Sequence, residues 1–287
     1  MTTHSIESGH VSARIDNIGA QLRSLTVDGV EYLWGATDPW EWSAPVLFPL
    51  ISGLPSNQML HQGQRYPIVS HGFGRRSHFE LARHESNKIS FLLTTSAQTL
   101  AAYPFAFALE IEFVAAGRTL TVNHTVSNRG DGAMPFQLGG HPAFRWPLPG
   151  AEPGSAHTVS WADGGDTMRM AVGGLRPGRI PSPAVDGRLV LDRAQFAEDG
   201  MLFDDIEPRR VTYTAPGAAN IVLTYDDFSR IGIWSKPQSG DFVCLEPWSG
   251  YPAPQGFEGD IMELPEATIL GAGESRTYTF GITVEGA

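Results

Sequence analysis

Three short clusters carry titratable side chains framed by glycine, proline and aromatic residues. They are Ser70-His71-Gly72-Phe73-Gly74-Arg75, Gly139-Gly140-His141-Pro142-Ala143-Phe144 and Cys244-Leu245-Glu246-Pro247-Trp248. Such framing is how a shaped loop or strand end presents a group on a rigid scaffold. A carboxylate partly desolvated beside Trp248 has its pKa raised towards neutrality, and an imidazole with an ordinary value of about 6.5 carries a proton in the same pH range. Together they could serve as base and acid at one pH.

Each cluster alone is a weak signal, because a lone histidine is commonly a structural or solvated residue. His124 shares a strand face with Leu120, Val122 and Val126 and reads as a hydrogen-bonded core histidine. His4, His10, His61, His78 and His84 lie in polar surroundings and read as solvated or structural. Two-residue alternation puts Phe242, Cys244 and Glu246 on one strand face, so Cys244 points to the side of the candidate base. It reads as a small buried thiol rather than a nucleophile.

The elements that hold these clusters read as strands. Alternation is clear at Phe107, Leu109, Ile111 and Phe113 and again at Tyr278, Phe280, Ile282 and Val284. Turn chemistry separates the strands: Asp28-Gly29 between Leu25 and Tyr32, Asn128 to Gly132, and Asp186-Gly187 ahead of Arg188 to Leu191. Sustained helical spacing is hard to find, and the 32 glycines and 21 prolines are spread throughout, so helices should be short and few. The Gly/Pro-rich stretch from Pro147 to Pro183 also holds Trp161, Met168, Met170 and Val172, which reads as an ordered excursion between strands. The expectation is a single all-β domain over residues 1–287, since large sandwiches and barrels often use this length for one domain.

Composition narrows the function classes. With 41% hydrophobic and 18% charged residues the chain is a folded globular protein. A formal charge of −11 without a Lys/Arg cluster argues against nucleic acid as a partner. One cysteine, Cys244, forms no intramolecular disulfide, and neither a signal-like stretch at Met1–Ala13 nor an apolar run of membrane length occurs. The expectation is a soluble cytoplasmic protein with no membrane partner, monomeric or homodimeric.

Taken in order, further motifs join the clusters: Pro45-Val46-Leu47-Phe48-Pro49, Tyr66-Pro67, Phe196-Ala197-Glu198-Asp199, Ile231-Gly232-Ile233-Trp234-Ser235 and Leu270-Gly271-Ala272-Gly273-Glu274-Ser275. From about Leu22 to the C-terminus the sequence resembles the bacterial aldose 1-epimerase (galactose mutarotase-like) family. The resemblance implies a large antiparallel β-sandwich with few short helices, an isomerase acting on a small-molecule aldose, and no cofactor or metal. It also implies roles: Glu246 as general base, His141 as general acid, and His71 holding the sugar near its ring oxygen. Arg75 would bind substrate hydroxyls, as would the carboxylate of Asp199, with neighbouring Asp204 and Asp205 as rival matches. Trp248, Phe73 and Phe144 either face the sugar's C–H groups or pack the pocket wall.

Two departures bear on substrate. Many relatives carry a Gly-Arg pair shortly after Leu-Phe-Pro, whereas Leu47 to Leu54 contains no arginine. Arg75 is followed by Arg76 where an acidic residue is more usual. The sugar preference can therefore differ, and a phosphorylated or modified sugar stays open. Two other functions compete: a carbohydrate-binding or sugar-sensing sandwich, which needs no opposed acid and base, and a metal-dependent hydrolase or isomerase using His71, His141 and Glu246 as ligands. The second lacks a compact ligand motif.

Overall fold

A computed structural model describes residues 1–170, 174–237 and 241–286. The turn expected at Asp28-Gly29 joins Gln21–Val27 to Val30–Glu31, with both turn residues at positive φ (51° and 78°). This is the backbone that a two-residue hairpin needs to match strand twist. These strands complete a four-stranded antiparallel sheet with Thr3–Ser8 and Val11–Asp16.

Two large sheets carry the rest. A nine-stranded sheet is centred on Ser275–Glu285, Thr119–Asn128 and Phe107–Ala116, which pair antiparallel. The alternation at Phe107, Leu109, Ile111 and Phe113 buries those side chains and leaves Glu110 and Glu112 half-buried on the opposite face. Tyr278, Phe280, Ile282 and Val284 do the same on the neighbouring strand. The second sheet has eight strands, with the path Ile180–Pro181, Thr167–Met170, Met201–Phe203, Arg230–Trp234, Phe242–Trp248, Gly139–Gly140 and Val46–Leu47, and Ala143–Arg145 also pairing with Phe242–Trp248.

The sheets pack face to face. A Cβ built on Gly140 would meet the Phe280 ring at 2.7 Å, so the glycine admits the aromatic of the opposing sheet. His124 is buried at this interface, its ring stacked on Phe280 at 5.7 Å, and burial lowers its pKa to about 4. It is the core histidine expected.

The architecture is an antiparallel β-sandwich. Among the described residues the one α-helix is Ala97–Ala102, capped by Ser96, alongside four 3-10 turns. None is long and apolar enough to cross a membrane. The Pro147 to Pro183 stretch contributes Thr158–Ser160, Thr167–Met170 and Ile180–Pro181 as strands, so it is an ordered excursion; Val172 lies outside the described residues.

Candidate active site

Strand Phe242–Trp248 is buried along its whole length and carries Glu246 on the same face as Cys244 and Trp248. Its neighbour is broken into Gly139–Gly140 and Ala143–Arg145, and both fragments keep one register: Gly139 faces Trp248 and Ala143 faces Cys244. Pro142, which has no N–H for the ladder, sits in the break, and its carbonyl accepts from Leu245 N–H at 3.2 Å. Continuity of register puts His141 opposite Glu246. There Nε2 of His141 lies 3.1 Å from Oε2 of Glu246, with the two side chains only 7% and 2% exposed.

His71 arrives from the other side. It adopts φ 62°, its N–H donates to Ser52 O (2.8 Å), and its Nδ1 accepts from Ser52 N–H (3.0 Å). With Nδ1 occupied as acceptor, a neutral His71 ring carries its proton on Nε2. Gly72 follows with φ 65°, and a Cβ there would lie 2.1 Å from Phe48 O, so only glycine fits this turn. The His71 and His141 rings meet edge to face at 5.9 Å.

A cavity of about 240 Å³ opens onto these groups. His71, Arg75, His141, Asp199, Glu246 and Trp248, all expected from sequence, line it together. Arg75 donates through Nη2 to Ser70 O (3.0 Å) and lies over the Trp42 ring at 5.0 Å. Asp199 Oδ1 accepts from Gly200 N–H at 2.8 Å. Its rivals point elsewhere: Asp204 is bonded to Arg179, and Asp205 accepts from Gly165 N–H and lies 3.7 Å from Arg179. Arg76 also leans on Trp42 (5.4 Å) but does not line the cavity, and Ser52 lines it in the segment that lacks arginine. Trp248 lies against Gly139, where a Cβ would sit 2.7 Å from the indole Cδ1.

Phe144 is fully buried, and Phe73 packs against Phe48, Tyr103 and Phe107. Phe144 is a core residue, whereas Phe73 is half-buried and packs against the core without lining this cavity. Sequence reasoning missed two tryptophans of the wall, Trp40 (5.1 Å from the His141 ring, tilted 32°) and Trp234 (5.8 Å, edge-on). Trp234 lay inside a quoted motif, and Trp40 follows Asp38-Pro39, a loop signal of the kind that framed the other clusters.

Electrostatics keeps the centre neutral. Burial raises the Glu246 pKa well above the ordinary range, and the negative charge of Asp199 adds to the rise. The indole N–H of Trp248 opposes it from outside hydrogen-bonding geometry. Burial, then His71 and Arg75, hold His141 well below the usual imidazole value. His71 falls to about 3 through burial and the charges of Arg75 and Arg76. Arg75 itself is lowered by burial to about 10 and stays charged at neutral pH. Asp199 is raised by burial. The arrangement sets a buried carboxyl and a buried imidazole 3.1 Å apart, outside hydrogen-bonding geometry, beside a cavity lined by the Arg75 guanidinium.

A larger groove, of about 770 Å³, lies against Phe73, Arg76, His78 and Glu80. Its titratable residues are exposed, so it lacks a desolvated acid–base pair.

Known proteins that share this fold include galactose mutarotase-like proteins. Protein LacX (plasmid) of Lactococcus lactis subsp. lactis is 27% identical over 298 residues, covering 98% of this chain and 99% of that protein. A galactose mutarotase-like protein from Lactobacillus casei superposes with a TM-score of 0.93 at 27% identity, covering 99% of this chain and 100% of the other. A galactose mutarotase related enzyme from Lactobacillus acidophilus does so with 0.91 at 26%, covering 99% and 97%. The sequence model of the aldose 1-epimerase family matches residues 2–268, nearly the whole chain, and the chain therefore belongs to that family.

Proposed function

We propose that this chain is a cofactor-independent aldose 1-epimerase, interconverting the α and β anomers of a small aldose by opening and reclosing the sugar ring. The observation that carries this reading is the 3.1 Å approach of His141 Nε2 to Glu246 Oε2 at a cavity wall. A cavity of about 240 Å³ is below the size that holds drug-like ligands and suits a molecule of about a dozen non-hydrogen atoms.

In the active protonation state the Glu246 carboxylate takes the proton of the anomeric hydroxyl while the His141 imidazolium gives one to the ring oxygen. The C1–O5 bond breaks as the C1 carbonyl forms. Rotation about C1–C2 turns the other aldehyde face inward, and the two transfers run backwards to close the opposite anomer. No oxidation state changes, so the chemistry needs no cofactor.

In the free site burial favours neutral Glu246 and neutral His141. Moving one proton across their contact creates the carboxylate–imidazolium form without changing net charge. His71, with its proton on Nε2, holds the sugar near its ring oxygen. Arg75 and Asp199 bind hydroxyls, and Trp248 faces the C–H groups of the ring. The reading extends to a single domain over residues 1–287, a monomer or homodimer working in the cytoplasm. The net charge of −11 supports a small sugar rather than nucleic acid as partner.

The test dissolves a panel of pure α-anomers with the protein and follows the approach to equilibrium by polarimetry or NMR. Acceleration over buffer is expected, ranking the sugars at once, and should vanish in Glu246→Gln. Sugar binding without acceleration in the native protein would leave a carbohydrate-binding module instead.

A further inference from the structure

The break that sets His141 opposite Glu246 has a second consequence. Cys244 lies two residues before Glu246 on the same strand face, and Ala143, two residues after His141, is its cross-strand partner. One ligand atom each from His141, Cys244 and Glu246 lie within 4.8 Å of one another, and all three residues are buried. Among the described residues this is the one cluster of metal-ligating side chains drawn so close. It differs from the set His71, His141 and Glu246 that the sequence suggested, because Cys244 joins and His71 does not.

We propose that His141, Cys244 and Glu246 form a binding site for a soft divalent metal ion such as zinc, cobalt or cadmium, and that its occupation switches the acid–base pair off. A thiolate, an imidazole and a carboxylate are a donor set that favours zinc and its tetrahedral analogues over magnesium or calcium. A tetrahedral shell with bonds of about 2.0–2.3 Å holds its donors about 3.3–3.8 Å apart. The spread of up to 4.8 Å has to close to that, while the 3.1 Å approach of His141 to Glu246 has to open slightly. Three protein donors leave a fourth position for water or a sugar hydroxyl, and two of the three, His141 and Glu246, line the cavity.

Two donors arrive neutral, so binding releases the thiol proton of Cys244 and the carboxyl proton of Glu246 to solvent. The imidazole Nε2 lone pair and the Glu246 oxygen are then held by the metal. Neither can exchange a proton with a sugar. The blocking of catalysis rests on the function proposed above; the binding does not.

The test titrates the native chain with cobalt(II) and follows the near-ultraviolet thiolate-to-cobalt charge-transfer band. Cys244 is the chain's only cysteine, so an intrinsic band reports that thiol alone. The band should appear, saturate at one metal per chain, and weaken in His141→Asn and in Glu246→Gln. Zinc should inhibit anomer exchange in the native protein. Cys244→Ser should keep metal-free activity while needing over tenfold more zinc for half-inhibition, because even an outer-shell change costs a metal site about 10–100-fold. Far-ultraviolet circular dichroism checks that each variant folds, and Cys244→Ala replaces the serine variant if that one does not.

Absence of a band in the folded native protein at millimolar cobalt would overturn the site, as would a band indifferent to His141→Asn and Glu246→Gln. Unchanged zinc inhibition in the folded Cys244 variant would overturn the switch. A native protein that shows the band but no mutarotation would keep the metal site and sink the catalytic reading, so the two failures are separable.

Discussion

His141 stands opposite Glu246 in antiparallel register although the strand that carries it is interrupted there by Pro142, and the two side chains meet at 3.1 Å. Directly opposite residues in such a ladder have Cβ atoms about 4.5–5.5 Å apart. The sheet, not a flexible loop, therefore fixes the separation of acid and base. Burial disfavours the charged form of each, raising the Glu246 pKa and lowering that of His141.

The first prediction concerns pH. The lowered His141 pKa means that His141 takes up a proton only well below the ordinary imidazole value of 6.5, and the raised Glu246 pKa means that Glu246 loses its proton only well above the ordinary carboxyl value of 4.5. Between these limits the site holds one proton and can work. Enzyme-dependent kcat/KM, measured by polarimetry with the buffer rate subtracted, should fall on the acid side only below the usual histidine range. An acid limb centred near 6.5 would mean that His141 titrates freely.

Glu246→Gln removes the base and the burden of burying an ionisable carboxyl at the same time. Loss of a general acid–base group lowers the rate by about 10²–10⁴-fold. Stability should move the other way. Above the unfolded carboxyl pKa, protonating Glu246 in the fold costs free energy that glutamine does not incur, and in a chain of this size each kcal/mol regained raises Tm by about 2–4 °C. Calorimetry and polarimetry on one preparation check both signs. A variant that is inactive and also less stable would mean that the carboxyl was contributing structurally.

Arg75 is the one cation lining the cavity, held by Ser70 O and the Trp42 ring, with Nε buried and unpartnered among the described residues. A hydrogen bond from a charged donor contributes about 1.5–3 kcal/mol. Arg75→Met should raise KM about 10–100-fold with a smaller change in kcat. Arg75→Lys should recover only part of the loss, since an ammonium cannot reproduce a planar fork stacked on an indole.

The strands and the site differed in how well the sequence exposed them. Phe107 to Phe113 and Tyr278 to Val284 alternate because one face meets the opposing sheet and the other meets water, which writes a period of two into the residues. The cavity leaves no such trace. On strand Phe242–Trp248 both faces are buried, so burial alone cannot tell the pocket side from the core side. The same ambiguity turned Phe144 into a candidate for the wall when it belongs to the core. His141 and Glu246 were recognisable as residue types in motifs, but their pairing depends on a non-local register, and two-residue strands such as Val46–Leu47 are too short to show a period.

Trp248 should depend on the glycine beneath it. A methyl group at Gly139 would sit 2.7 Å from the indole Cδ1 and 3.1 Å from Leu47 Cδ1. Gly139→Ala should therefore lift the indole into the cavity, raise KM and destabilise by about 1–3 kcal/mol, the usual cost of overpacking. Gly132→Ala, where a Cβ meets nothing within 4 Å, is the control and should leave both unchanged. Equal behaviour of the two variants in thermal melts and kinetics would show that the Trp248 position tolerates displacement.

Asp199 separates two roles that a single carboxylate can play here. Its charge raises the Glu246 pKa, so Asp199→Asn should lower that pKa and move the alkaline limb of kcat/KM to lower pH. If Asp199 also binds a sugar hydroxyl, the same change should raise KM, by about tenfold for one charged hydrogen bond. Asp204→Asn is the matched control, because Asp204 is occupied by Arg179 and does not line the cavity. It should move neither the limb nor KM. A limb that shifts without a KM change would assign Asp199 to electrostatics alone, whereas a KM effect at Asp204 and none at Asp199 would return the substrate carboxylate to the rival position.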